Sequence, residues 1–495
     1  MAGPSPSLDP RQPVLVGLGT ANDGAPVADL MTAAVLAAGS DADAPGLLGA
    51  VDCIAVPQGS WSLTDPARTV ARRIGSPEAH TIRFEVGVSQ QEVINHVLSA
   101  VAAGDYETAV VVGGEARRWA RDGGSETDEE GAPPDEVVSR PPDFVASIEM
   151  AAGIVLPPVQ QYALIENALA AEEGLTPAAQ RDEIAALWAR YNAVAGENPE
   201  AAFGQPRSAG EIASPGPGNR PLAYPYNKWH ASQWTVDQSS ALVICSAERA
   251  RSAAVAPDRW LFPHVALHCS AAVTLTGRRH LSAWPAMRVL GRAAERHLGR
   301  PLRDIELAEV YSCFPAAVRV QQRELGLDPV GTPTVTGGMT FAGGPFNHFV
   351  LQSLVALGRR LRGDSGRPDE RLGLVTTVSG MLSKPGLAVW SADPPPGRGG
   401  GSLVADLAAA ATAATEVVPV LDVAPRVPTP ATVASFTVTY GGADGLEPVR
   451  AAVVADLPDG VRTAATCEDA VIARLALAEG LIGRAVEVKD TTFSL

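Results

Sequence analysis

Residues 81–113 read TIRFEVGVSQQEVINHVLSAVAAGDYETAVVVG and hold a strand, a helix and a second strand in that order. The flanking runs, 81–87 and 108–113, are short, apolar and bounded by turn residues, as buried strands are. Between them Val93, Ile94, Val97, Leu98 and Val101 recur at helical spacing over Gln90–Ala103. Strand, helix and strand in succession predict an α/β fold with a largely parallel sheet. Working outward, 14–19 (VLVGLG) and 51–57 (VDCIAVP) are further strands, alternating with helices over 27–38 and 66–74.

The alternation stops at 117–142, an acidic stretch rich in Gly and Pro that reads as an exposed loop. The acidic run 126–136 within it reads as solvated. Helices over 162–173 and 177–195 follow, and a strand returns at 241–246, so 117–233 has the character of an insertion. A second α/β block then repeats the pattern. Its strands are 265–271, 306–311, 373–378 and 386–391; its helices are 285–298, 316–325 and 346–361. Two blocks of similar size imply duplication, although no residue-level self-similarity is visible. The composition of 393–402 (DPPPGRGGGS) marks a linker. The expected organisation is 12–260, 261–393, a linker at 394–424 and a β-rich unit at 425–495, with strands at 432–440, 449–456, 460–466 and 483–489.

With 495 residues, 46% of them hydrophobic, the chain has enough apolar material for several cores. Its formal charge of −16 opposes nucleic acid and anionic membranes as partners. Of 39 basic residues only Lys228, Lys384 and Lys489 are lysines. Cys53, Cys245, Cys269, Cys313 and Cys467 are scattered without metal-ligand spacing, which predicts neither a metal site nor a disulfide framework. The first residues lack the apolar core of a signal peptide, and no apolar run reaches the ~18 residues of a membrane span. The expectation is a soluble cytoplasmic protein.

Five segments carry chemistry by their order: VVVGGEA at 110–116, VDQSSALVICS at 236–246, EVYSCFP at 309–315, GGMTFAGGPFNH at 337–348 and LVTTVSG at 374–380. In order and spacing they resemble the thiolase superfamily, in its sterol-carrier-protein-2 thiolase branch. More narrowly, the chain is similar to the actinobacterial thiolase-like proteins of type 1, acetyl-CoA acetyltransferase-like proteins with an added C-terminal domain. The resemblance covers about 12–393. It implies a duplicated, five-layered αβαβα core with a small OB-like β-rich domain, and a place in acyl-CoA and lipid metabolism. It also implies that no cofactor is covalently bound and that coenzyme A or an acyl-CoA is the ligand.

Thiolase chemistry uses a cysteine at the start of a buried helix, a histidine in a GHP motif, an Asn or His in an NEAF or HDCF motif, and a second cysteine in a CxG motif. Here the nucleophile position falls on Gly87 or Val88. The other three fall on Gly344, Tyr311 and Val378. The frames persist without their side chains, so ordinary thiolysis or Claisen condensation is not expected. Backbone N–H groups survive any substitution, and Gly87, Gly380 and Gly344 are the candidate oxyanion donors.

The remaining catalytic candidates are Tyr311, His348 and Ser89. Each has a plainer reading: Tyr311 fills the space left by Asn or His, His348 is a polar group near a helix start, and Ser89 is a helix N-cap. Asn347, His230, Lys228 and Arg220 are candidates for binding substrate or the phosphates of coenzyme A, a solvated surface being the alternative for the last three. Cys313 reads as core, Glu115 and Asp237 as structural carboxylates. The functions in view are an acyltransferase-superfamily protein with an altered site, a retro-aldolase-type carbon–carbon lyase using Tyr311, and a non-catalytic acyl-CoA-binding scaffold. The C-terminal unit carries one lysine, Lys489, and few aromatics, which favours docking on the core or on a partner protein over nucleic acid. Thiolases pair through a sheet edge. The acidic loop and the added domain are placed to obstruct it, so monomer and dimer both stay open.

Overall fold

The computed structural model describes residues 8–363, 372–396 and 401–495. Two sheets form the centre of the larger part. The first runs, edge to edge, Pro13–Ala21, Asp237–Ser246, Thr108–Ala116, Cys53–Pro57, His80–Phe84 and Glu136–Val138. Its first two junctions are antiparallel and the other three parallel. The second runs Leu307–Glu309, Leu372–Ser379, Lys384–Ser391, Phe262–His268 and Leu403–Asp406. Its outer junctions are parallel and its two inner ones antiparallel. The expected largely parallel sheet is therefore mixed in both halves. In each, a late strand returns and runs antiparallel between earlier ones.

The duplication that residues do not reveal is explicit in this topology. Pro13–Ala21, Asp237–Ser246, Thr108–Ala116 and Cys53–Pro57 are joined antiparallel, antiparallel, parallel. Phe262–His268, Lys384–Ser391, Leu372–Ser379 and Leu307–Glu309 repeat that sequence of junctions. Helices Gln90–Ala103 and Phe349–Arg362 pack against both sheets and form the middle layer. Val27–Ala42 and Pro66–Arg73 cover the outside of the first sheet, and Pro285–Leu298 the outside of the second. The expected five-layered αβαβα order follows.

The middle helix Gln90–Ala103 is covered nearly all round, so its polar side chains are buried with its apolar ones. Burial without partners is costly, and most of these groups have one, Gln91 Oε1 being left without. Gln91 Nε2 donates to Asn95 Oδ1 at 2.8 Å. Asn95 Nδ2 lies 3.0 Å from the Ala266 carbonyl and 2.8 Å from His268 Nδ1. Glu92 pairs with Arg140. The helix is thereby pinned in rotation as well as in depth.

Two further expectations need correction. The acidic run 126–136 is not simply solvated. Glu126 accepts from Val27 N at 2.8 Å at the start of Val27–Ala42, Asp128 from Thr64 N at 3.0 Å, and Glu129 and Glu130 pair with Arg73 and Arg72 at 2.6 and 3.0 Å. Asp135 pairs with Arg68 at 2.5 Å, and Glu136–Val138 then adds a parallel strand to His80–Phe84. The exposed loop is a clasp over the edge of the first sheet. The expected linker at 394–424 likewise contributes Leu403–Asp406 to the second sheet and helix Ala408–Ala414 beside Pro285–Leu298; its residues 397–400 lie outside the described ones. Linker composition marks only its Gly-rich start.

The C-terminal unit is a closed five-stranded barrel of Thr429–Gly441, Glu447–Asp456, Arg462–Cys467, Thr492–Ser494 and Ala485–Lys489, the last returning to the first. Val433, Phe436, Val453, Val488 and Phe493 fill it. It docks on the insertion: Asn167 Nδ2, on helix Val159–Glu172, donates to the Phe436 carbonyl at 2.8 Å, and Ser435 Oγ to the Leu164 carbonyl at 2.6 Å. No helix among the described residues is long and apolar enough to cross a membrane.

Helix Val27–Ala42 ends at Asp43, exposed and left-handed at φ 51°. Glycine adopts that conformation without the Cβ penalty. Asp43→Gly is expected to raise unfolding stability by about 0.5–1 kcal/mol in urea titration; a loss of stability would contradict the αL cap.

Candidate functional site

The start of Gln90–Ala103 is the natural focus, because a helix N-terminus presents N–H groups and a favourable dipole to an incoming acyl oxygen. Gly87, at φ 112°, turns the chain into it. Ser89 is the N-cap: its hydroxyl accepts from Glu92 N at 3.2 Å, and the residue is buried. A hydroxyl so placed already serves the helix. Val88 is buried and its N–H donates to the Glu85 carbonyl at 3.1 Å.

Gln90 joins the motif segments. Its Oε1 accepts from Val350 N at 2.7 Å, and its side chain lies close enough to the Tyr311 hydroxyl to oppose the rise of the phenol pKa. The sequence draws attention to Gln90 only as a helix opener; its bridging role needs the packed helices. Tyr311 is buried and lies edge-on to Phe349, with ring centroids 5.8 Å apart. Its N–H donates to Thr376 Oγ1 and its carbonyl accepts from Gln321 Nε2, both at 2.9 Å. Burial, helped by Cys313 nearby, raises the phenol pKa and keeps it protonated.

His348 stands at the N-cap of Phe349–Arg362, packed on Gly113 so closely that a side chain at 113 would overlap it. Its Nε2 is buried without a partner, and burial pushes the imidazole down to about 3. It is a neutral group against VVVGGEA, and its contacts place it in the core. Asn347 Nδ2 donates to the Gln58 carbonyl at 3.0 Å, which ties the motif loop to the end of Cys53–Pro57.

The three expected oxyanion glycines divide. Gly344 is corrected: its N–H already donates to the Gln233 carbonyl at 3.0 Å, and a side chain there would run into Ser232 Oγ. The serine holds the space where a GHP histidine would begin. Gly380 is left-handed, at φ 59°, with Phe144 Cβ only 2.9 Å from where a Cβ of its own would be. Gly87 has the Arg140 carbonyl 3.6 Å from the same point. Residues 140–144 thus run as a strap across both glycines. Arg140 is anchored on Glu92, and Lys384 Nζ lies 2.8 Å from Asp143 Oδ1. Lys384 is the residue that sequence reasoning missed. One of three lysines, set in the apolar run KPGLAVWS, it was a detectable signal.

Of the phosphate candidates, His230 is corrected. It is buried, its Nδ1 accepts from Asn227 N at 3.0 Å, its Nε2 has no partner, and burial pushes it down to about 3. An uncharged core imidazole does not meet a phosphate. Lys228 is half-buried with its ammonium 4.7 Å from the Trp229 ring centre, and Arg220 is exposed.

No cysteine stands at the helix start. Cys313 shares a hydrogen bond with Tyr162, and burial pushes its thiol up to about 12; Cys53 and Cys245 go the same way, and Cys269 rises to about 11. None supplies thiolate near neutral pH. Glu309 orders the loop before GGMTFAGGP, accepting from Val335 N and Thr336 N at 2.8 Å and from Thr334 Oγ1 at 2.9 Å. A separate cavity of about 510 Å³ at the end of Thr108–Ala116 is lined by Ser60, Trp61, Glu115, Arg117 and Trp119; of the motif segments it meets only the end of VVVGGEA, and none of the candidate catalytic residues lines it. Among the described residues no group of three or more His, Cys, Asp or Glu is arranged to hold a metal.

No family model matches the chain. It is similar to a monomeric SCP2-thiolase like protein type 1 from Mycobacterium smegmatis, with 28% identity, TM-score 0.81, and 99% of this chain and 100% of that one covered. An Ltp2–ChsH2(DUF35) aldolase matches with 20% identity and TM-score 0.56 over 78% of this chain and 99% of that one, a likeness of fold. An acetyl-CoA acetyltransferase of Methanocaldococcus jannaschii is 27% identical over 106 residues, 21% of this chain and 26% of the relative, so the match spans about a quarter of that protein.

Because His348 is held neutral when folded, its contribution to stability is present above the unfolded value of 6.5 and is lost as pH falls toward 3. His348→Gln removes that proton uptake. Relative to the parent, the variant is expected to gain about 2 kcal/mol between pH 6.5 and 5 in denaturant titrations. Parallel stability curves would show that His348 does not resist protonation.

Proposed function

We infer that this chain, whose fold and motif frames are those of the thiolase superfamily in its sterol-carrier-protein-2 thiolase-like branch, binds a coenzyme A thioester at the start of helix Gln90–Ala103 and handles it without cysteine chemistry. The observation that carries this reading is the start of that helix, where Gly87 or Val88 stands at the position of the family's nucleophile and the neighbouring Ser89 is a buried N-cap. Without a thiolate no acyl-enzyme of the ordinary kind forms, and without histidine at Gly344 nothing activates one. The family relation and the left-handed glycines 87 and 380 support a thioester as ligand. The Tyr311 phenol adds a donor for a carbonyl oxygen. Arg220 and Lys228 are the remaining candidates for the phosphates of coenzyme A.

The carbon–carbon lyase reading asks Tyr311 to take a proton from substrate. A phenol whose pKa is raised by burial is a donor in its resting state and holds its proton at neutral pH, so the geometry favours binding over that step. Tyr311→Phe separates the two, since a lyase would lose turnover while a thioester-binding protein would keep most of its affinity. The barrel supports an intramolecular role through its docking on Val159–Glu172, and a partner protein on its remaining surface is the alternative.

Calorimetric titration with coenzyme A, acetyl-CoA and a branched acyl-CoA, followed by intact-mass measurement, tests the reading. Micromolar binding that prefers an acyl form, with no gain in protein mass, is expected. A covalent acyl adduct would overturn the nucleophile-free site, and absence of binding would overturn the thioester.

A further inference from the structure

Lys384 is 1% exposed, and its ammonium has few neighbours that answer a charge. Asp143 Oδ1 lies at 2.8 Å, the Pro141 carbonyl at 3.4 Å, and the Phe144 ring centre at 5.8 Å. All three belong to the strap. Asp143 itself is 42% exposed, so a buried cation is neutralised by a carboxylate that reaches in from the surface. The strap lies between strand Glu136–Val138 and helix Ser147–Ala151 and has no regular secondary structure of its own. Lys384 pairs with Ser379 across the hairpin that carries the LVTTVSG frame, and Phe144 rests on Gly380. Cation, strap and left-handed glycine meet at one place.

Resting on the thioester reading above, we propose that Lys384 is the anion-binding residue of this site and that Asp143 stands in for a carboxylate on the ligand's acyl group. The ligand class is a coenzyme A thioester of a dicarboxylic acid. On its side-chain face Gly380 is closed by Ser383 and Phe144, so a ligand group reaching Lys384 from that face requires residues 141–144 to move. Arg140, held by Glu92, anchors the near end. Moving Asp143 away without a replacement leaves a buried ammonium unpaired, which is strongly unfavourable. A neutral acyl group bears that penalty in full. An acyl group ending in a carboxylate exchanges one ion pair for another, so the strap excludes the first and yields to the second. Asp143 is a competitor in this scheme, and Lys384 determines specificity.

Calorimetric titration of the full chain with succinyl-CoA, butyryl-CoA and free coenzyme A tests the proposal, because the two thioesters share the coenzyme and differ at the acyl terminus. Succinyl-CoA is expected to bind at least about tenfold tighter than butyryl-CoA. Lys384→Met should abolish the difference. Asp143→Asn leaves the buried ammonium without its carboxylate in the free protein, so it should lower the unfolding midpoint without ligand, tighten succinyl-CoA by a similar factor because the internal competitor is gone, and regain the midpoint when succinyl-CoA is added. Equal affinity of the parent for both thioesters overturns the proposal while leaving the thioester site standing. So does free coenzyme A binding as tightly as succinyl-CoA, which would assign the anion to its phosphates, or a succinyl preference that survives Lys384→Met. Failure of all three proteins to bind any thioester removes the thioester reading itself, and the proposal with it.

Discussion

Enclosure of helix Gln90–Ala103 between two sheets is the constraint on which the rest of the structure depends. A helix covered on every side cannot leave polar groups to water, so its polar side chains look for partners in the layers around it. Gln90 reaches the backbone of the second central helix, Asn95 the second sheet, and Glu92 the strap. These bonds hold the two halves in register and bring the YSCF, GGPFNH and LVTTVSG frames to one place. The same enclosure raises the thiol and phenol pKa values and lowers those of the imidazoles around it.

Around the start of the helix, side chains fill space and satisfy hydrogen bonds. Ser89 caps the helix, and Ser232 occupies the space beside Gly344 that a histidine would use. Each replacement satisfies packing or hydrogen bonding locally. Gly87 and Gly380 keep left-handed conformations that serve the turns whatever the chemistry.

Segments outside the core act as covers. The acidic clasp closes the edge of the first sheet through carboxylate pairs with Arg68, Arg72 and Arg73, and continues into the strap. The barrel leans on the insertion through buried backbone acceptors, which makes it part of the same body.

Periodicity in the sequence determined the elements: helices Gln90–Ala103 and Pro285–Leu298 have the expected bounds, because apolar spacing and terminal residues are local properties. Motif order likewise carried the family resemblance. Strand direction was not legible, because the return of Asp237–Ser246 between earlier strands depends on an insertion more than a hundred residues long. The strand Leu403–Asp406 was missed for a similar reason, its pairing being set by a distant edge. The fates of His230, His348 and Gly344 were decided only in three dimensions: burial, an occupied N–H and a neighbouring serine are properties of what lies opposite. So was the pairing of Lys384 with Asp143, since 241 positions of chain separate a buried cation from the carboxylate that makes its burial tolerable.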